Sequence, residues 1–270
     1  MSARAATVLE RIVAETRREV QLRKREQPID AAVPGPRGVA SIGRFSDALA
    51  RPGIGVIAEF KRRSPSAGAL REKADLTEVV TAYARGGAVA LSVLTEGPNF
   101  GGSLDDLRLA GSVCELPLLR KDFIVDPYQL HEALAAGAGA VLLIVAALEQ
   151  PELASLYELA RSLDLEVLVE VHDRGELRRA LDAGAEIIGI NNRDLRDFTV
   201  DVERTERLMG EMPAEVSVVS ESGIARAEQL EHLQGLGVQA VLVGEALMRS
   251  ADPEAALREL TGFRRTESAL

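Results

Sequence analysis

Residues 136–145 read AGAGAVLLIV, a glycine-containing joint that runs directly into an uninterrupted apolar segment. A glycine after the last turn of a helix commonly adopts the left-handed conformation that ends the helix. An apolar segment without polar alternation is typical of a parallel strand that is buried on both faces. The same joint recurs around Gly87, Gly184 and Gly237, so the sequence predicts a repeated unit of helix, glycine and strand.

Eight short apolar segments of this kind alternate with helix-like stretches, an order that gives parallel sheets through right-handed crossovers. A doubly wound open sheet is the alternative, but it usually has fewer strands and often carries a glycine-rich fingerprint after the first. Here the first segment continues instead into Lys61-Arg62-Arg63-Ser64-Pro65. We therefore predict an α/β protein with the fold of a (β/α)8 TIM barrel. The predicted strands are Ile54–Ala58, Ala88–Leu94, Leu116–Leu119, Ala140–Val145, Glu166–Val171, Glu186–Ile190, Ser217–Ser220 and Ala240–Val243.

The chain of 270 residues has the length of a single barrel domain, which typically takes about 250 residues. Val8 to Arg25 has the apolar spacing of an amphipathic helix, and a loop rich in proline and glycine follows it. We predict one domain over residues 1–270, with an N-terminal helical extension and loop over 1–50 and the barrel over 54–262. Within the extension, the charge run Arg17–Arg25 is expected to be a solvated helix face.

Composition excludes several classes of function. The formal net charge is −10, from 32 Lys and Arg against 42 Asp and Glu, and aromatic residues are 3% of the chain. Nucleic-acid binding needs a basic surface and base-stacking aromatics, so we expect none. One cysteine, Cys114, excludes an internal disulfide and a multi-thiolate metal site. The longest apolar run, 138–148, is too short to span a membrane and Met1 to Asp30 lacks a secretory apolar core, so we expect a cytoplasmic protein.

Polar side chains follow the predicted strands at the points where each strand ends. In a (β/α)8 barrel these positions form the functional face. Glu59 and Lys61 lie two residues apart after the first strand, and because side chains alternate along a strand both point into the barrel mouth. Buried charges are costly without a task, so several at matching strand ends favour an active site over salt bridges that close the rim. The strand-end residues expected to converge with this pair are Lys121, Glu170, Asn191 and Glu221.

Two lysines and three carboxylates in one pocket should shift each other's pKa values. Burial raises the pKa of a carboxyl group and lowers that of a lysine, whereas opposite charges nearby act in the other direction. We expect this balance to leave one lysine able to give up a proton near neutral pH, as a general acid must.

The last two predicted strands carry a second signal, which indicates a phosphate site. Ser222-Gly223 and Gly244-Glu245 both follow strand ends, and Glu245–Arg249 is too short for a full barrel helix. A short extra helix entered through glycine presents free backbone N–H groups, and with the loop after strand seven it forms the usual phosphate site of this fold. His172 also follows a strand, but we interpret it as a rim residue.

Six segments at the strand ends occur in a characteristic order along nearly the whole chain. They read AEFKRRSPS (58–66), LRKDFI (119–124), LVEVH (168–172), GINNRDL (189–195), SESGI (220–224) and LVGEALM (242–248). In this order they resemble the segments of indole-3-glycerol-phosphate synthase, a (β/α)8 enzyme family of tryptophan biosynthesis. The KRRSPS and GINNRDL stretches are the most specific part of the resemblance.

The resemblance implies a carboxy-lyase reaction without a cofactor or a metal ion. The family converts 1-(2-carboxyphenylamino)-1-deoxyribulose 5-phosphate into indole-3-glycerol phosphate and releases CO2 and water. By resemblance, Lys121 is the general acid for ring closure, and Glu170 stabilises positive charge or transfers protons. Lys61 and Glu59 are then the acid and the base of the dehydration step. The division of these roles between the two lysines is left open.

Further residues are implied to bind and orient this substrate. Asn191 and Ser222 are expected to position its hydroxyl groups, and Lys61 or Arg193 to hold its carboxylate. An apolar wall for the benzene ring is expected from two phenylalanines and a leucine. The implied substrate-binding residues are Ser64, Phe100, Phe123, Leu143, Arg193, Glu221, Gly223, Gly244 and Glu245.

Two other functions compete with this one. Another phosphate-binding barrel, such as a sugar-phosphate isomerase, commonly uses one acid and one base and does not need a second strand-end lysine beside Lys121. A non-catalytic barrel that only binds a ligand would be expected to have lost a strand-end charge, and none is missing here. We expect the partner to be a small-molecule substrate, with no nucleic acid and no membrane. The oligomeric state is not determined by the sequence, and we favour a monomer.

Overall fold

Eight parallel strands close into a barrel in the computed structural model of the chain, which describes residues 6–28, 44–195 and 197–262. Each strand pairs with the next along the chain, and the last pairs with the first, as the predicted (β/α)8 barrel requires. The strands are β1 (Gly55–Phe60), β2 (Ala90–Leu94), β3 (Leu118–Lys121), β4 (Ala140–Ile144), β5 (Glu166–Val171), β6 (Ile187–Asn191), β7 (Ser217–Glu221) and β8 (Ala240–Val243).

Helices connect the strands and surround the barrel. Two of them precede it, and one short helix follows β8 directly, as its length predicts. A small antiparallel hairpin pairs Arg63–Ser64 with Gly68–Ala69 just after β1. The helices are α1 (Val8–Glu26), α2 (Arg44–Leu49), α3 (Leu76–Gly86), α4 (Leu104–Val113), α5 (Pro127–Ala135), α6 (Gln150–Ser162), α7 (Arg174–Asp182), α8 (Arg204–Met209), α9 (Ala227–Gly235), α10 (Glu245–Arg249) and α11 (Pro253–Thr261).

The glycine joints behave as predicted. Gly137, Gly184 and Gly237 have φ angles of 86°, 84° and 88°, and Gly87 has 94°. These values lie in the left-handed region, where a side chain is strained and glycine is not. The repeated glycine therefore ends α3, α5, α7 and α9 and turns the chain into the strand that follows each of them.

Four strands run one or two residues further than their apolar segments predict. They contain Glu59, Lys121, Asn191 and Glu221, which we had placed after the strands. Backbone pairing continues through these residues, and Asn191 pairs with Glu221 across β6 and β7. Apolarity marks where side chains are buried in a core, whereas ladder hydrogen bonds are indifferent to side-chain polarity. The functional side chains are consequently held by the rigid strands themselves.

Two apolar layers make up the core. One fills the barrel, where Ile57 and Leu142 are at most 1% exposed, and the other lies between the barrel and its helices, where Val56 and Leu143 are fully buried. Adjacent strand residues contribute to opposite layers because side chains alternate along a strand.

The helix α2 closes the end of the barrel opposite the strand-end residues. Glu166, the first residue of β5, accepts hydrogen bonds from the backbone N–H groups of Phe45 at 2.6 Å and Ser46 at 3.2 Å. Phe45 is fully buried and packs with the barrel interior. A carboxylate at a helix N-terminus satisfies backbone donors that have no partner within the helix.

The helix α1 packs against the outer helices through charges. Arg23 pairs with Glu132 on α5 at 2.7 Å, and Lys24 pairs with Asp126 at 2.9 Å. The expectation that Arg17–Arg25 is a solvated face is confirmed for Arg17, Arg18 and Arg25, which are exposed. It is wrong for Arg23 and Lys24, which are half-buried against these acidic partners. The proline- and glycine-rich part of the predicted extension falls mostly in residues 29–43, outside the described residues. Within the described ranges, no helix is long and apolar enough to cross a membrane.

Candidate active site

A cavity of about 420 Å³ opens at the end of the barrel where the strands finish. The structure brings all but one of the predicted site residues to its wall. Those that line it are Glu59, Lys61, Ser64, Phe100, Lys121, Phe123, Glu170, Asn191, Arg193, Glu221, Ser222, Gly223, Gly244 and Glu245.

The five predicted charges form two contacting groups inside this cavity. Nζ of Lys121 lies 3.4 Å from Oε2 of Glu170 and 3.3 Å from Oε2 of Glu221. Nζ of Lys61 lies 2.6 Å from Oε1 of Glu59. All three glutamates are at most 3% exposed, so each buried carboxylate has a lysine as its neighbour.

Two glycines make room for the buried carboxylates. A Cβ on Gly189 would lie 2.2 Å from Oε1 of Glu221, and a Cβ on Gly244 would lie 2.4 Å from Oε1 of Glu59. Such distances are far below van der Waals contact, so a side chain at either position would displace the glutamate. Gly244 was predicted as a phosphate contact alone, and its second role follows only from the packing of β8 against β1.

Electrostatics favour the charged form of Lys121. Burial lowers the pKa of its ammonium group, but the negative charges of Glu221, Glu170 and Glu59 together outweigh burial and raise this pKa above its usual value. The expectation of a lysine that loses its proton near neutral pH is therefore wrong for Lys121 in this state. Neighbouring charges outweigh burial at Glu59 as well. Burial raises the pKa of its carboxyl group, but Lys61 and Lys121 lower this pKa overall.

Glu221 is a buried carboxyl group whose surroundings raise its pKa to near neutrality. Burial raises the pKa of its carboxyl group to about 7, Lys121 offsets part of this rise, and the charges of Glu170 and Glu59 add to it. By resemblance, Glu221 was expected to bind the substrate. Its burial and its place among two other carboxylates make it able to hold a proton at physiological pH.

The predicted phosphate end is built by the loops after β7 and β8. Ser222 and Gly223 both have positive φ angles, 68° and 79°. The hydroxyl of Ser222 donates to Oδ1 of Asn191 at 2.8 Å. These contacts fix the turn that leads from β7 to the cavity wall, with the hydroxyl directed back toward β6.

The acidic residue at this end is neutralised by two arginines. Oε2 of Glu245 lies 3.6 Å from the guanidinium of Arg193, and its Oε1 accepts from Nε of Arg249 at 3.2 Å. Both arginines line the cavity. The side chain of Glu245 therefore does not oppose an anion near Gly244.

Two aromatic rings form part of an apolar wall of the cavity. The rings of Phe100 and Phe123 are 6.2 Å apart between centroids and tilted by 42°. The prediction of Leu143 in this wall is wrong, because it points outward into the layer between barrel and helices. Its neighbours Leu142 and Ile144 line the cavity instead, since side chains alternate along β4.

The sequence reasoning missed several residues of the site. Leu195 and Phe198 line the cavity, and the hydroxyl of Ser92 on β2 donates to Oε2 of Glu59 at 3.5 Å. His172 is not a rim residue, because it is only 7% exposed and its ring contacts Glu170. Strand alternation was the available signal for His172, which follows Glu170 by two residues and so shares its inward direction.

Metal binding finds no support in the described part of the chain. No group of three or more His, Cys, Asp or Glu side chains there is arranged to hold a metal ion.

Known proteins similar to this chain agree on one family. A family model described as indole-3-glycerol phosphate synthase matches residues 9–260. Indole-3-glycerol phosphate synthase 2 of Streptomyces coelicolor is 51% identical over 218 residues, which cover 81% of this chain and 84% of that protein. Indole-3-glycerol phosphate synthase of Mycolicibacterium smegmatis is 47% identical over 262 residues, which cover 95% of this chain and 94% of that protein.

Solved structures share the architecture at low identity. A mutant tryptophan synthase alpha-subunit from Pyrococcus furiosus has a TM-score of 0.60 and 15% identity, covering 77% of this chain and 98% of that one. The 3-hexulose-6-phosphate synthase of Salmonella typhimurium has a TM-score of 0.61 and 14% identity, covering 77% and 97%. At these identities the likeness concerns the fold alone.

Proposed function

The chain belongs to the indole-3-glycerol phosphate synthase family, and from that premise we propose the reaction that its cavity performs. It converts 1-(2-carboxyphenylamino)-1-deoxyribulose 5-phosphate into indole-3-glycerol phosphate, CO2 and water, and so acts as a carboxy-lyase. The observation that carries this proposal is the placement of two lysines and three glutamates, from β1, β3, β5 and β7 and the loop after β1, around one cavity.

The substrate has three parts, and each has a matching part of the cavity. Its phosphate is held by backbone N–H groups near Gly223 and Gly244, with the arginines beside Glu245 supplying positive charge. Its benzene ring lies against Phe100 and Phe123. Its carboxylate is bound by a cation at the cavity wall, Lys61 or Arg193.

Ring closure requires a proton on the ketone oxygen. The ring carbon that bears the carboxylate attacks the ketone carbon, a carbon–carbon bond forms, and the oxygen becomes a hydroxyl with the proton of Lys121. The nitrogen side of the ring becomes positively charged, and the carboxylate of Glu170 stabilises this charge. Loss of CO2 leaves its bonding electrons to the ring and neutralises that charge.

Glu221 regulates the acidity of Lys121 in this scheme. Lys121 holds its proton strongly while three carboxylates surround it. A proton on Glu221, whose pKa is about 7, removes one of these charges and so makes donation by Lys121 easier. After donation, Glu221 is 3.3 Å away and can return a proton to the lysine.

Dehydration requires an acid for the leaving hydroxyl and a base for the ring proton. Lys61 donates to the hydroxyl, which leaves as water, and Glu59 accepts the ring proton. Their polar atoms are 2.6 Å apart, so a single transfer from Glu59 to Lys61 restores both groups for the next cycle.

We also propose the oligomeric state of the enzyme and the compartment in which it works. Every residue used here comes from one chain, so we propose that a monomer is active. Because the substrate is a phosphate ester that does not cross membranes freely, we also propose that the enzyme works in the cytoplasm.

Direct turnover tests the proposed function. The purified protein is mixed with the carboxyphenylamino-deoxyribulose phosphate in the presence of EDTA, and the indole fluorescence of the product is followed. We expect product without added metal or nucleotide. No product from a folded protein would overturn the proposal and would favour an isomerase or a binding-only barrel.

A further inference from the structure

The ring of His172, the residue that directly follows β5, contacts two glutamates. Its Nε2 lies 3.4 Å from Oε1 of Glu170, and its Nδ1 lies 3.0 Å from Oε2 of Glu176 on α7. The backbone N–H of His172 also donates to Oε2 of Glu176, at 2.7 Å. Glu176 therefore fixes both the backbone and the ring, and the ring is left facing Glu170.

Glu170 faces a cation on each of its two oxygens. Oε2 lies 3.4 Å from Nζ of Lys121, and Oε1 faces the ring of His172. Within the described residues, Oε1 of Glu170 and Nε2 of His172 are buried and neither has a hydrogen-bond partner. A carboxylate that is 1% exposed is costly unless opposite charge is close. Each of these two buried polar atoms can therefore offset the cost of burying the other.

The surroundings of His172 favour its charged form. Burial lowers the pKa of its ring, but Glu176 and Glu170 outweigh burial and the repulsion by Arg204 on α8, so the pKa is raised above its usual value. His172 also lines a second cavity of about 270 Å³, together with Thr7 and Leu9 at the start of α1. This second cavity is lined by further charged groups, which are Glu10, Arg179 and Asp194.

We propose that His172 is a positioning residue for Glu170, fixed in turn by Glu176, and that its ring holds the carboxylate of Glu170 in the orientation that it has at the cavity. This role rests on the proposed function, in which Glu170 stabilises the positive charge formed on ring closure. When Lys121 has given its proton to the ketone oxygen, one of the two cations beside Glu170 is lost. His172 lies on the other oxygen, so it still holds Glu170 in place when the positive charge forms on the ring.

His172→Asn tests the positioning role, because asparagine keeps a polar side chain but cannot carry the charge. His232→Asn is the matched control, since His232 also pairs with a glutamate, Glu206 at 3.3 Å, but on the exposed surface of α9. We expect H172N to lower kcat about tenfold with KM within about twofold, because it changes a group that acts in the transition state and not a substrate contact. We expect H232N to match the wild type.

The contact between His172 and Glu170 is measured without turnover. Carbon-13 NMR of labelled glutamate carboxyl groups reports the surroundings of the Glu170 carboxyl group, with its signal assigned from the Glu170→Gln spectrum. Because Oε1 of Glu170 faces the ring of His172, this signal should shift in H172N and stay unchanged in H232N.

Glu176→Gln is the second variant, and it leaves His172 in place. Loss of the anchoring charge lowers the pKa of His172, which nitrogen-15 NMR of the ring measures directly. The kcat of E176Q, taken as a ratio to the wild-type kcat at the same pH, should then fall as pH rises through that lowered pKa. A merely structural histidine would give no such pH dependence.

The outcomes separate this inference from the proposed function. A wild-type enzyme that forms no product overturns both the proposed function and the role that rests on it. An active wild type together with a wild-type kcat and an unshifted Glu170 carboxyl signal in a folded H172N overturns the role of His172 alone. If H172N is too unstable to study, an E176Q variant whose kcat shows the wild-type pH dependence overturns it.

Discussion

Lys121→Met removes the proposed general acid while keeping a side chain of similar length. Methionine has no proton to give and no charge, so the ketone oxygen must take its proton from water. Lys121 lies within 3.4 Å of Glu170 and Glu221, and the substitution also leaves these two buried carboxylates without the cation between them.

The magnitude has a catalytic and an electrostatic part. A positioned acid typically contributes roughly 10²–10⁴ in rate, which corresponds to roughly 3–5 kcal/mol in the activation free energy. The electrostatic part changes protonation more than folding. Lys121 lowers the pKa of Glu221 from what burial alone would give, so without it Glu221 is protonated at neutral pH and the repulsion between carboxylates is relieved. We therefore expect a folded K121M with kcat reduced at least 10²-fold.

The assay compares K121M with a matched lysine variant. Lys24→Met removes a lysine that pairs with Asp126 at 2.9 Å on the outer surface, so it costs one charge pair and no active-site group. Product fluorescence gives kcat and KM for both, and circular dichroism with urea unfolding reports the fold. A folded K121M whose kcat stays within about fivefold of K24M would falsify the assignment of Lys121 as general acid, because the loss would be too small for a lost proton transfer.

Three further predictions concern stability and packing. The pKa of Glu221 is raised to about 7 in the folded protein, so this residue binds its proton more tightly there than in the unfolded chain. Its contribution to stability is therefore present at acidic pH and is lost as pH rises through 7. Glu221→Gln should flatten this part of the pH dependence of the free energy of unfolding measured with urea, and an unchanged slope contradicts the prediction. Glu166→Ala removes the acceptor of two backbone N–H groups of α2. It should lower the free energy of unfolding by about 1–3 kcal/mol and leave kcat unchanged. A fully stable variant would show that α2 is held by apolar contacts alone. Gly244→Ala places a Cβ 2.4 Å from Oε1 of Glu59 and should lower kcat at least tenfold in a folded protein. Gly235→Ala is the control and should leave kcat unchanged, because its Cβ meets nothing within 4 Å at the exposed end of α9. Equal kinetics for the two variants would refute the role of Gly244 in making room for Glu59.

The sequence predicted the barrel because its signals are local. A glycine in a left-handed turn and an apolar segment that follows it involve only neighbours along the chain, and both recur at Gly87, Gly137, Gly184 and Gly237. The strand-end charges were predicted for a related reason. Once strands are parallel, their ends meet at one edge, so Glu59, Lys121, Glu170 and Glu221 had to converge.

The sequence could not show which side of a fully apolar strand faces the cavity. In β4 every side chain is buried, in the barrel or against the helices, so polar alternation gives no phase. That is why Leu143 was placed in the wall and Leu142 and Ile144 were not. His172 is different, because Glu170 two residues before it already showed the inward direction.

The sequence by itself determined the order of the elements, the number of strands and the chemical groups at their ends. Tertiary structure alone decided how those groups affect one another. The pKa of Lys121 is set by a competition between burial and three carboxylates that come from β1, β5 and β7, and the charges of α1 find partners on α5 that lie more than 100 residues further along the chain. Electrostatic energies depend on distances of a few ångströms and on how much water remains, and only the closed barrel fixes both.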